Sequence, residues 1–359
     1  MPDQNSKLPR REFLKRTAHA AAIASFSGAA AAAAPKDKKI KLADTIPTRV
    51  FGKTRAKLPI LGYGGAALPK KWGNPLSMED RVKLVRHAYD SGIRYFDTSI
   101  SYTYAESQSI IGKGLKEVRD NAFITTKVDF WNRARPDGRM DRIDKKAVAY
   151  QVDKNLKELQ SDYIDAVLIH GTPGVEQMTV EQCMEVHDAL ARARDKGKIR
   201  FIGFSAHSYF DKALALTKTG KFDLCMLAYG YLPRGHDQRF SKKSIGIREE
   251  CIAEAHMRKM GIVAMKVVGA GVMGAWAPYL VPEFDKKRSK LLPAAAIRYV
   301  MEDKRFNMLA IGMRLRHEIA ANIKTLAGDT TFTKADRALL EEFGPQALKS
   351  KAMKNMKVQ

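Results

Sequence analysis

Eight short apolar runs, each followed by an amphipathic helical pattern, fill the chain from residue 59 onward. Short, mostly apolar runs of this length are typical of parallel strands that are buried on both faces. Helix start and stop signals bound the helical patterns, such as Ser77 before "MEDRVKLVRHAYD" and Gly197 at the end of "TVEQCMEVHDALARARDKG". Strand–helix units repeated in this way predict an α/β fold on a parallel sheet. The runs are "PILGYG" (59–64), "IRYFDTS" (93–99), "AFITTKV" (122–128), "YIDAVLIHG" (163–171), "IRFIGFSAH" (199–207), "DLCMLAY" (223–229), "IVAMKVVG" (262–269) and "MLAIGM" (308–313).

The number of units distinguishes two parallel architectures. Eight βα units in one domain of about 320 residues predict a closed (β/α)₈ TIM barrel. "TRVFGKTRAKLPILG" predicts a hairpin that precedes the barrel and can close its bottom, and "TKADRALLEEFG" predicts an additional C-terminal helix. The alternative, a doubly wound open sheet, predicts a glycine-rich turn that leads directly into a helix after the first strand. "GYGGAALPKKWG" leads into no immediate helix, which favours the barrel.

The N-terminal segment has the composition of a targeting signal. "RREFLKR" (10–16) is basic, an alanine-rich weakly apolar run follows, and several A-x-A sites come next. With Arg10 and Arg11 it resembles a twin-arginine translocation signal, although Pro9 stands where Ser or Thr is usual. The resemblance implies export by the twin-arginine machinery to the periplasm, and the alternative is an uncleaved helical tail. The predicted division is a signal peptide at 1–34, a linker at 35–46 and the barrel at 47–359.

Charge and cysteine content exclude several classes of function. The formal net charge is +24, which can attract phosphates or nucleic acid. However, the basic residues are scattered, and no recognition motif or arginine-rich arm accompanies them, so we expect an anionic cofactor and not nucleic acid as the partner. The three cysteines form no CxxC pair, which argues against a disulfide framework and a metal site and indicates buried free thiols. After the N-terminal segment, no stretch has the ~18 apolar residues of a membrane span.

Four polar side chains lie at, near or just after the predicted ends of barrel strands. Asp97 ends the second strand and Tyr102 lies on the loop after it, Lys127 is near the end of the third strand, and His170 is near the end of the fourth. The carboxyl ends of barrel strands share one face, so these side chains should converge. An acid and an amine inside apolar strands are costly unless they pair. The plain structural interpretation is a salt bridge that fills the barrel mouth, with His170 as a hydrogen-bonded core residue.

The same four residues also suit proton transfer to a substrate oxygen. A phenol with a pKa near ~10 is a poor acid at neutral pH. We expect a lysine within ~4–6 Å to favour the phenolate and lower the pKa of the phenol, with the aspartate holding the lysine in place. The histidine can hydrogen-bond a carbonyl oxygen and orient the substrate. These groups supply no electrons, so a cofactor must supply the hydride.

Several motifs in order along the chain resemble those of the aldo-keto reductases, which are (β/α)₈ enzymes that bind NADP(H) without a Rossmann fold and reduce aldehydes and ketones. The resemblance implies that Asp97, Tyr102, Lys127 and His170 are the catalytic tetrad. It also implies a small carbonyl or alcohol substrate and NADP as the cofactor, with NAD as the alternative. The motifs, between residues 47 and 325, are "GIRYFDTSISYTYAESQSIIGKGL", "ITTKV", "AVLIHG", "IRFIGFS" and "AIGMR…AAN".

The cofactor-binding half of the resemblance is less complete. Ser205 matches a serine that binds the nicotinamide carboxamide, but Ala206 replaces the asparagine that usually follows, and His207 comes next. Met226 and Met265 stand where a glutamine and an aromatic residue often contact the nicotinamide. The adenosine-phosphate segment matches through Arg314 and Asn322, with Ala321 in place of a frequent glutamate. "MKVVGAG" resembles the loop over the pyrophosphate, with Lys266, Gly269 and Gly271 as candidate contacts.

"GAGVMG" (269–274) also fits the G-x-G-x-x-G dinucleotide fingerprint. It follows the seventh strand, has no βαβ unit around it and leads into the proline-containing "AWAPYLVPEF". A glycine-rich loop at the top of the barrel, where the backbone can approach a phosphate, is the favoured interpretation.

Other functions and the substrate stay open. One alternative is an exported cofactor-binding barrel that acts as a sensor or partner subunit with little turnover. A phosphate-recognising lyase or isomerase would need a metal site or paired carboxylates, and neither pattern is present. Trp72, Trp131 and Trp276 lie in the predicted loops after strands one, three and seven. They are candidate walls of an apolar substrate pocket.

Overall fold

The computed structural model describes residues 39–129, 143–234 and 240–355. The strands are β1 (Thr48–Val50), β2 (Lys57–Pro59), β3 (Leu61–Gly64), β4 (Tyr95–Asp97), β5 (Phe123–Val128), β6 (Ile164–Ile169), β7 (Ile199–Ala206), β8 (Leu224–Ala228), β9 (Gly261–Met265) and β10 (Met308–Ile311). The last eight are parallel and close into a barrel in the order β10-β3-β4-β5-β6-β7-β8-β9, which confirms the predicted (β/α)₈ fold.

The strands are shorter than the apolar runs that predict them. β4 covers only Tyr95–Asp97 of the predicted 93–99, and β9 ends at Met265 and not at 269. Thr98 and Ser99 at the end of the predicted second run are fully buried outside any strand. The apolar pattern reports burial, which extends from the strands into the loops at the barrel mouth.

The predicted hairpin is present and closes one end of the barrel. β1 and β2 pair antiparallel, with Thr48 opposite Pro59. Phe51, between them, is fully buried, and its ring meets those of Tyr95 and Phe123 edge-on at 5.8 and 5.6 Å. These two rings belong to residues that begin β4 and β5, so the hairpin caps the bottom of the barrel.

Helices follow the barrel strands in regular alternation. Local capping explains where several begin: the Ser77 hydroxyl accepts from the amide of Asp80, and Thr179 forms a capping box with Gln182. The eight principal helices are Met78–Asp90, Glu106–Leu115, Lys145–Leu159, Val180–Asp195, Phe210–Lys218, Lys242–Met257, Leu292–Met301 and Arg316–Ala327. Short helices at Ala277–Leu280 and Lys286–Ser289 lie between β9 and its long helix.

The additional C-terminal helix, Lys334–Lys349, packs on the segment that follows β9 and is itself followed by a short helix, Lys351–Asn355. Phe343 meets Phe284 edge-on at 5.2 Å, and Arg288 pairs with Glu342 through both of its terminal nitrogens. Both phenylalanines belong to a hydrophobic cluster separate from the barrel core. The segment after β9 is therefore fixed to the C-terminal helix.

The predicted signal peptide, residues 1–34, lies outside the described residues. Within the described ranges, no helix has both the length and the apolar character needed to cross a membrane. Cys183, Cys225 and Cys251 are all buried free thiols.

Candidate active site

A buried ion pair lies at the carboxyl ends of β4 and β5. The Lys127 ammonium donates to Asp97 Oδ1 at 2.6 Å and to the carbonyl of Thr98 at 2.8 Å. Burial raises the pKa of Asp97 and lowers the pKa of Lys127, and the attraction between the two opposes both shifts. The pair that the sequence predicts is present, and its geometry fixes the lysine.

A buried polar network lies behind this lysine. Gln108 Nε2 donates to Thr126 Oγ1 at 2.9 Å and to Asn155 Oδ1 at 2.8 Å, and Asn155 Nδ2 donates to the Lys127 carbonyl at 3.2 Å. All four residues are almost fully buried. Gln108 Oε1 is buried without a hydrogen-bond partner among the described residues, but the hydrogen bonds that Gln108 and Asn155 donate still restrict the position of the Lys127 backbone.

Tyr102 lies over the ion pair. The Lys127 ammonium is 5.0 Å from the centroid of the Tyr102 ring, and Trp72 meets that ring edge-on at 5.4 Å. The pKa of Tyr102 is raised well above that of a free phenol, first by burial and then by the carboxylates of Asp97 and Asp129. The expected lowering of this pKa by Lys127 is therefore wrong, because the ammonium is paired with Asp97 and faces the ring.

The loop after Tyr102 directs the second tyrosine, Tyr104, toward solvent. Thr103, Tyr104 and Ala105 have φ values of 41°, 55° and 69°, a run of left-handed backbone that is rare for residues other than glycine. Tyr104 is 87% exposed, whereas Tyr102 is half-buried. The side chain of Glu106 accepts from the Thr103 hydroxyl and from Arg81, which fixes the loop.

His170 lies directly after β6, and two polar side chains contact its ring at Nδ1. Nδ1 is 3.0 Å from Asp129 Oδ2 and 3.4 Å from Ser101 Oγ. The ring lies 6.1 Å from that of Tyr102 and 6.3 Å from that of His207, between centroids. Sequence reasoning missed Asp129, although its position one residue after β5 is the same strand-end signal that selected Asp97.

A cavity of about 1140 Å³ opens beside these residues. Of the four candidate catalytic residues, Asp97 and Tyr102 line it, while Lys127 and His170 are not among its lining residues. Seven of the nine candidate cofactor contacts also line it: His207, Met226, Met265, Lys266, Gly271, Arg314 and Asn322. One continuous space therefore joins the predicted catalytic and cofactor-binding residues.

The other two candidate cofactor contacts, Ser205 and Gly269, are not part of the cavity wall. Ser205 is fully buried, and its hydroxyl accepts from the backbone N–H of Gly171 at 2.8 Å. At Gly269 a Cβ would lie 2.9 Å from the Leu232 side chain and point into the packing of the loop. Both residues match the family motif in type and position. In the structure, however, they contact neighbouring protein groups and not the cavity.

Several basic side chains line the cavity. The Arg314 guanidinium lies 4.9 Å from the centroid of a Trp276 ring, and burial lowers its pKa against the attraction of Glu318. Burial lowers the pKa of Lys266 to about 7, against the attraction of Glu176. Lys286, Lys290 and His317 also line the cavity.

Trp276 lies against Arg314, and Trp72 meets the Tyr102 ring, but neither tryptophan is among the residues that line the cavity. Trp131 lies outside the described residues. Of the three tryptophans that were candidate pocket walls, Trp72 alone is placed against a candidate catalytic residue within the described ranges.

A parallel eight-stranded barrel with ionisable side chains at its strand ends is the architecture of a large class of enzymes. A sequence profile of the Aldo/keto reductase family matches residues 60–344. The chain therefore belongs to the aldo/keto reductase family of oxidoreductases.

Individual relatives agree with this assignment. The chain is 24% identical to L-galactose dehydrogenase of Arabidopsis thaliana over 303 residues, which cover 77% of this chain and 87% of that protein. An aldo-keto reductase from Bacillus halodurans in its holo form superposes with a TM-score of 0.62 at 18% identity, over 86% of this chain and all of that one. A second, from Klebsiella pneumoniae in complex with NADP and acetate, has a TM-score of 0.60 at 16% identity, over 83% of this chain and 96% of that one.

Proposed function

We propose that the protein interconverts an aldehyde or ketone and the corresponding alcohol, with NADP(H) as the hydride carrier. One observation carries the proposal: a single cavity is lined both by Tyr102 and Asp97 and by Lys266 and Arg314. The first pair suits a reacting oxygen, and the second pair suits the phosphates of a dinucleotide.

The cavity residues fit NADP(H). A buried ammonium whose pKa is only about 7, at Lys266, is a group that a bound phosphate would stabilise. Gly271 has φ 91°, and a Cβ there would lie 2.7 Å from the Trp276 ring, so the wall is bare backbone at this point. Arg314 and Asn322 would hold the adenosine phosphate. The complex of the Klebsiella pneumoniae relative with NADP supports this choice. When bound, the nicotinamide would supply the hydride.

Tyr102 and the residues around it would supply the proton. Like a free phenol, Tyr102 is protonated at neutral pH, and its raised pKa strengthens this preference. It can therefore donate a hydrogen bond to the substrate oxygen. As negative charge builds on that oxygen, the phenol becomes the nearest proton donor. Lys127, paired with Asp97, would limit the charge left on Tyr102, and His170 would orient the substrate oxygen.

We further propose that the protein is exported to the periplasm by the twin-arginine machinery. The support is the sequence "RREFLKR" at residues 10–16 and the alanine-rich run after it. This route carries folded proteins, which suits a barrel that has to keep its nucleotide.

Absorbance of the purified protein near 340 nm tests the catalytic proposal. NADPH added to the protein should lose this absorbance when a panel of small aldehydes is supplied, and NADP⁺ should gain it with the matching alcohols. A protein that binds the nucleotide and turns over neither set would instead be a cofactor-dependent sensor or partner subunit, the second candidate of the sequence analysis.

A further inference from the structure

Three consecutive residues after Tyr102 hold a backbone conformation that such residues rarely adopt on their own. Thr103, Tyr104 and Ala105 all have left-handed φ values, between 41° and 69°. This conformation costs free energy in residues other than glycine, and it persists only where the surrounding structure holds it. A group packed against this loop must therefore restrain it.

The two carboxylate oxygens of Glu106 supply that restraint. Oε2 accepts from the Thr103 hydroxyl at 2.8 Å, so it binds the first of the three strained residues. Oε1 accepts from Arg81 Nη1 at 2.5 Å and from the backbone N–H of Lys70 at 3.4 Å. One oxygen of the carboxylate thus holds the loop, and the other is held by the rest of the protein.

Arg81 is a fixed anchor for this carboxylate. Its side chain is only 4% exposed, and it also donates to the carbonyl of Leu68 at 2.8 Å and to that of Ser77 at 3.1 Å. Burial raises the pKa of Glu106, but the hydrogen bonds from Arg81 and Thr103 outweigh this effect and lower the pKa. Glu106 is therefore ionised at neutral pH, and hydrogen bonds to an ionised group are the stronger ones.

The position of the Tyr102 phenol depends on this loop. Within the described ranges its hydroxyl makes no hydrogen bond with the protein, so its ring contacts and its backbone position it. The ring meets that of Trp72 edge-on and lies 5.0 Å from Lys127 Nζ. The next residue along the chain, Thr103, is the one that Glu106 binds. A change in the Thr103 backbone should therefore move the phenol.

We propose that Glu106 is a positioning residue for Tyr102. Anchored by Arg81, its carboxylate holds the Thr103 backbone in the left-handed conformation and so keeps the phenol where it can reach a ligand oxygen. Tyr102 lines the cavity and Glu106 does not, so Glu106 should affect proton donation and not the affinity for the nucleotide. This inference rests on the proposed function of the same site.

Thr103→Val tests the link without disturbing its anchor. Replacement of Glu106 would leave Arg81 buried without its carboxylate and destabilise the fold, whereas Thr103→Val removes only the hydroxyl that reaches Oε2. In a single turnover with saturating NADPH and the aldehyde that the wild-type protein reduces fastest, the rate should fall at least about tenfold, because a displaced phenol transfers its proton poorly. NADPH affinity should not change. A wild-type rate in Thr103→Val would overturn the proposal.

Two further variants separate positioning from a general loss of stability. Thr103→Ser keeps the hydroxyl, so its rate should stay within about threefold of the wild-type rate. Thr219→Val is the matched control, because it removes a hydroxyl that donates to the Leu216 carbonyl just after the helix Phe210–Lys218. It should leave the rate unchanged. Equal losses in Thr103→Ser and Thr103→Val would contradict the assignment of the hydroxyl.

The Tyr102→Phe background shows whether the link acts through the phenol. Without the phenol the link has no proton donor to position, so the addition of Thr103→Val to Tyr102→Phe should cause little further loss of rate. A further loss as large as that in the wild-type background would give Thr103 a role independent of Tyr102 and would overturn the proposal.

A spectroscopic measurement tests the position of the ring without any turnover. In the full-length protein labelled with tyrosine that carries ¹³C at Cζ, Tyr102→Phe identifies the Tyr102 signal among the 12 tyrosines. Thr103→Val should shift or broaden this signal, and Thr219→Val should not. If the wild-type protein reduces no aldehyde, the proposed function fails, and the spectrum still tests the link. If aldehydes are reduced and Thr103→Val changes neither the rate nor the signal, only this inference fails.

Discussion

Lys127 Nζ lies 2.6 Å from Asp97 Oδ1 at the mouth of the barrel, and water reaches almost none of either side chain. A buried pair of this kind is held by mutual attraction against the cost of removing both charges from water. The pair also places a cation beneath the Tyr102 ring. The stability of the fold and the proposed chemistry of Tyr102 should therefore both depend on the contact between Lys127 and Asp97.

Removing one partner should be far more damaging than removing both. Lys127→Met leaves the Asp97 carboxylate buried without its cation and should lower the free energy of unfolding by about 3–5 kcal/mol. In the double variant Asp97→Leu with Lys127→Met, most of this loss should be recovered, because no buried charge remains. Denaturant unfolding of both single variants and the double variant measures the coupling. Additive losses would show that the two side chains do not depend on each other.

Much of this site could be predicted from the sequence because a parallel barrel brings strand ends together. Asp97, Lys127 and His170 each lie at or next to the end of a strand, and the closed topology alone makes them neighbours. Tyr102 lies on a loop, so its position in the site could be predicted only from the sequence motif around it. The apolar runs likewise identified all eight strands, although they overstated the strand lengths.

The rest depends on side-chain contacts that no periodicity encodes. The carboxylate of Asp129 lies against His170 because of the ring orientation. The pKa of Tyr102 is raised first by burial and then by nearby carboxylates. Ser205 and Gly269 match a family motif, yet both face protein and not the cavity. A motif identifies a position along the chain, but the packing of neighbouring groups decides whether the residue at that position faces the cavity.

Cofactor binding should take up a proton near pH 8.5. Lys266 has a pKa of about 7 in the free protein, so it is mostly neutral at this pH. A phosphate beside it favours the ammonium and raises the pKa, so that Lys266 gains up to one proton. Calorimetric titration with NADPH in buffers of different ionisation enthalpy measures this uptake. The uptake should vanish near pH 5.5, where the lysine is already charged, and in Lys266→Met at either pH. Persistence of the full uptake in that variant would assign it to another group.

Arg314 should discriminate between the two nicotinamide cofactors. If its guanidinium pairs with the adenosine 2′-phosphate, Arg314→Ala should weaken NADPH by about 1.5–3 kcal/mol and leave NADH nearly unchanged. Titration of the quenching of protein fluorescence measures both affinities. Arg337→Ala is a suitable control, because this arginine stacks on Phe332 and does not line the cavity. Equal losses for the two cofactors would give Arg314 a different role.

Export should depend on the arginine pair at positions 10 and 11. The double substitution Arg10→Lys with Arg11→Lys keeps the charge and precedes the family match at residues 60–344 in the sequence, so the protein should fold normally and stay in the cytoplasm. Fractionation of cells that express either form, with activity measured in each fraction, tests this. Undiminished recovery of the double variant from the periplasm would exclude a twin-arginine signal.

The exchange of single tyrosines for phenylalanine tests the central claim most directly. Tyr102→Phe removes the proposed proton donor but keeps the ring between Trp72 and Lys127, so melting temperature and NADPH affinity should hardly change. Carbonyl reduction, followed by the loss of NADPH absorbance in a single turnover, should fall by about 10²–10⁴-fold. Tyr104→Phe, at an 87% exposed position, should keep the rate within about tenfold, a barrier change of ~1.4 kcal/mol or less. A Tyr102→Phe protein that reduces carbonyls within tenfold of the wild-type rate would contradict the proposed site.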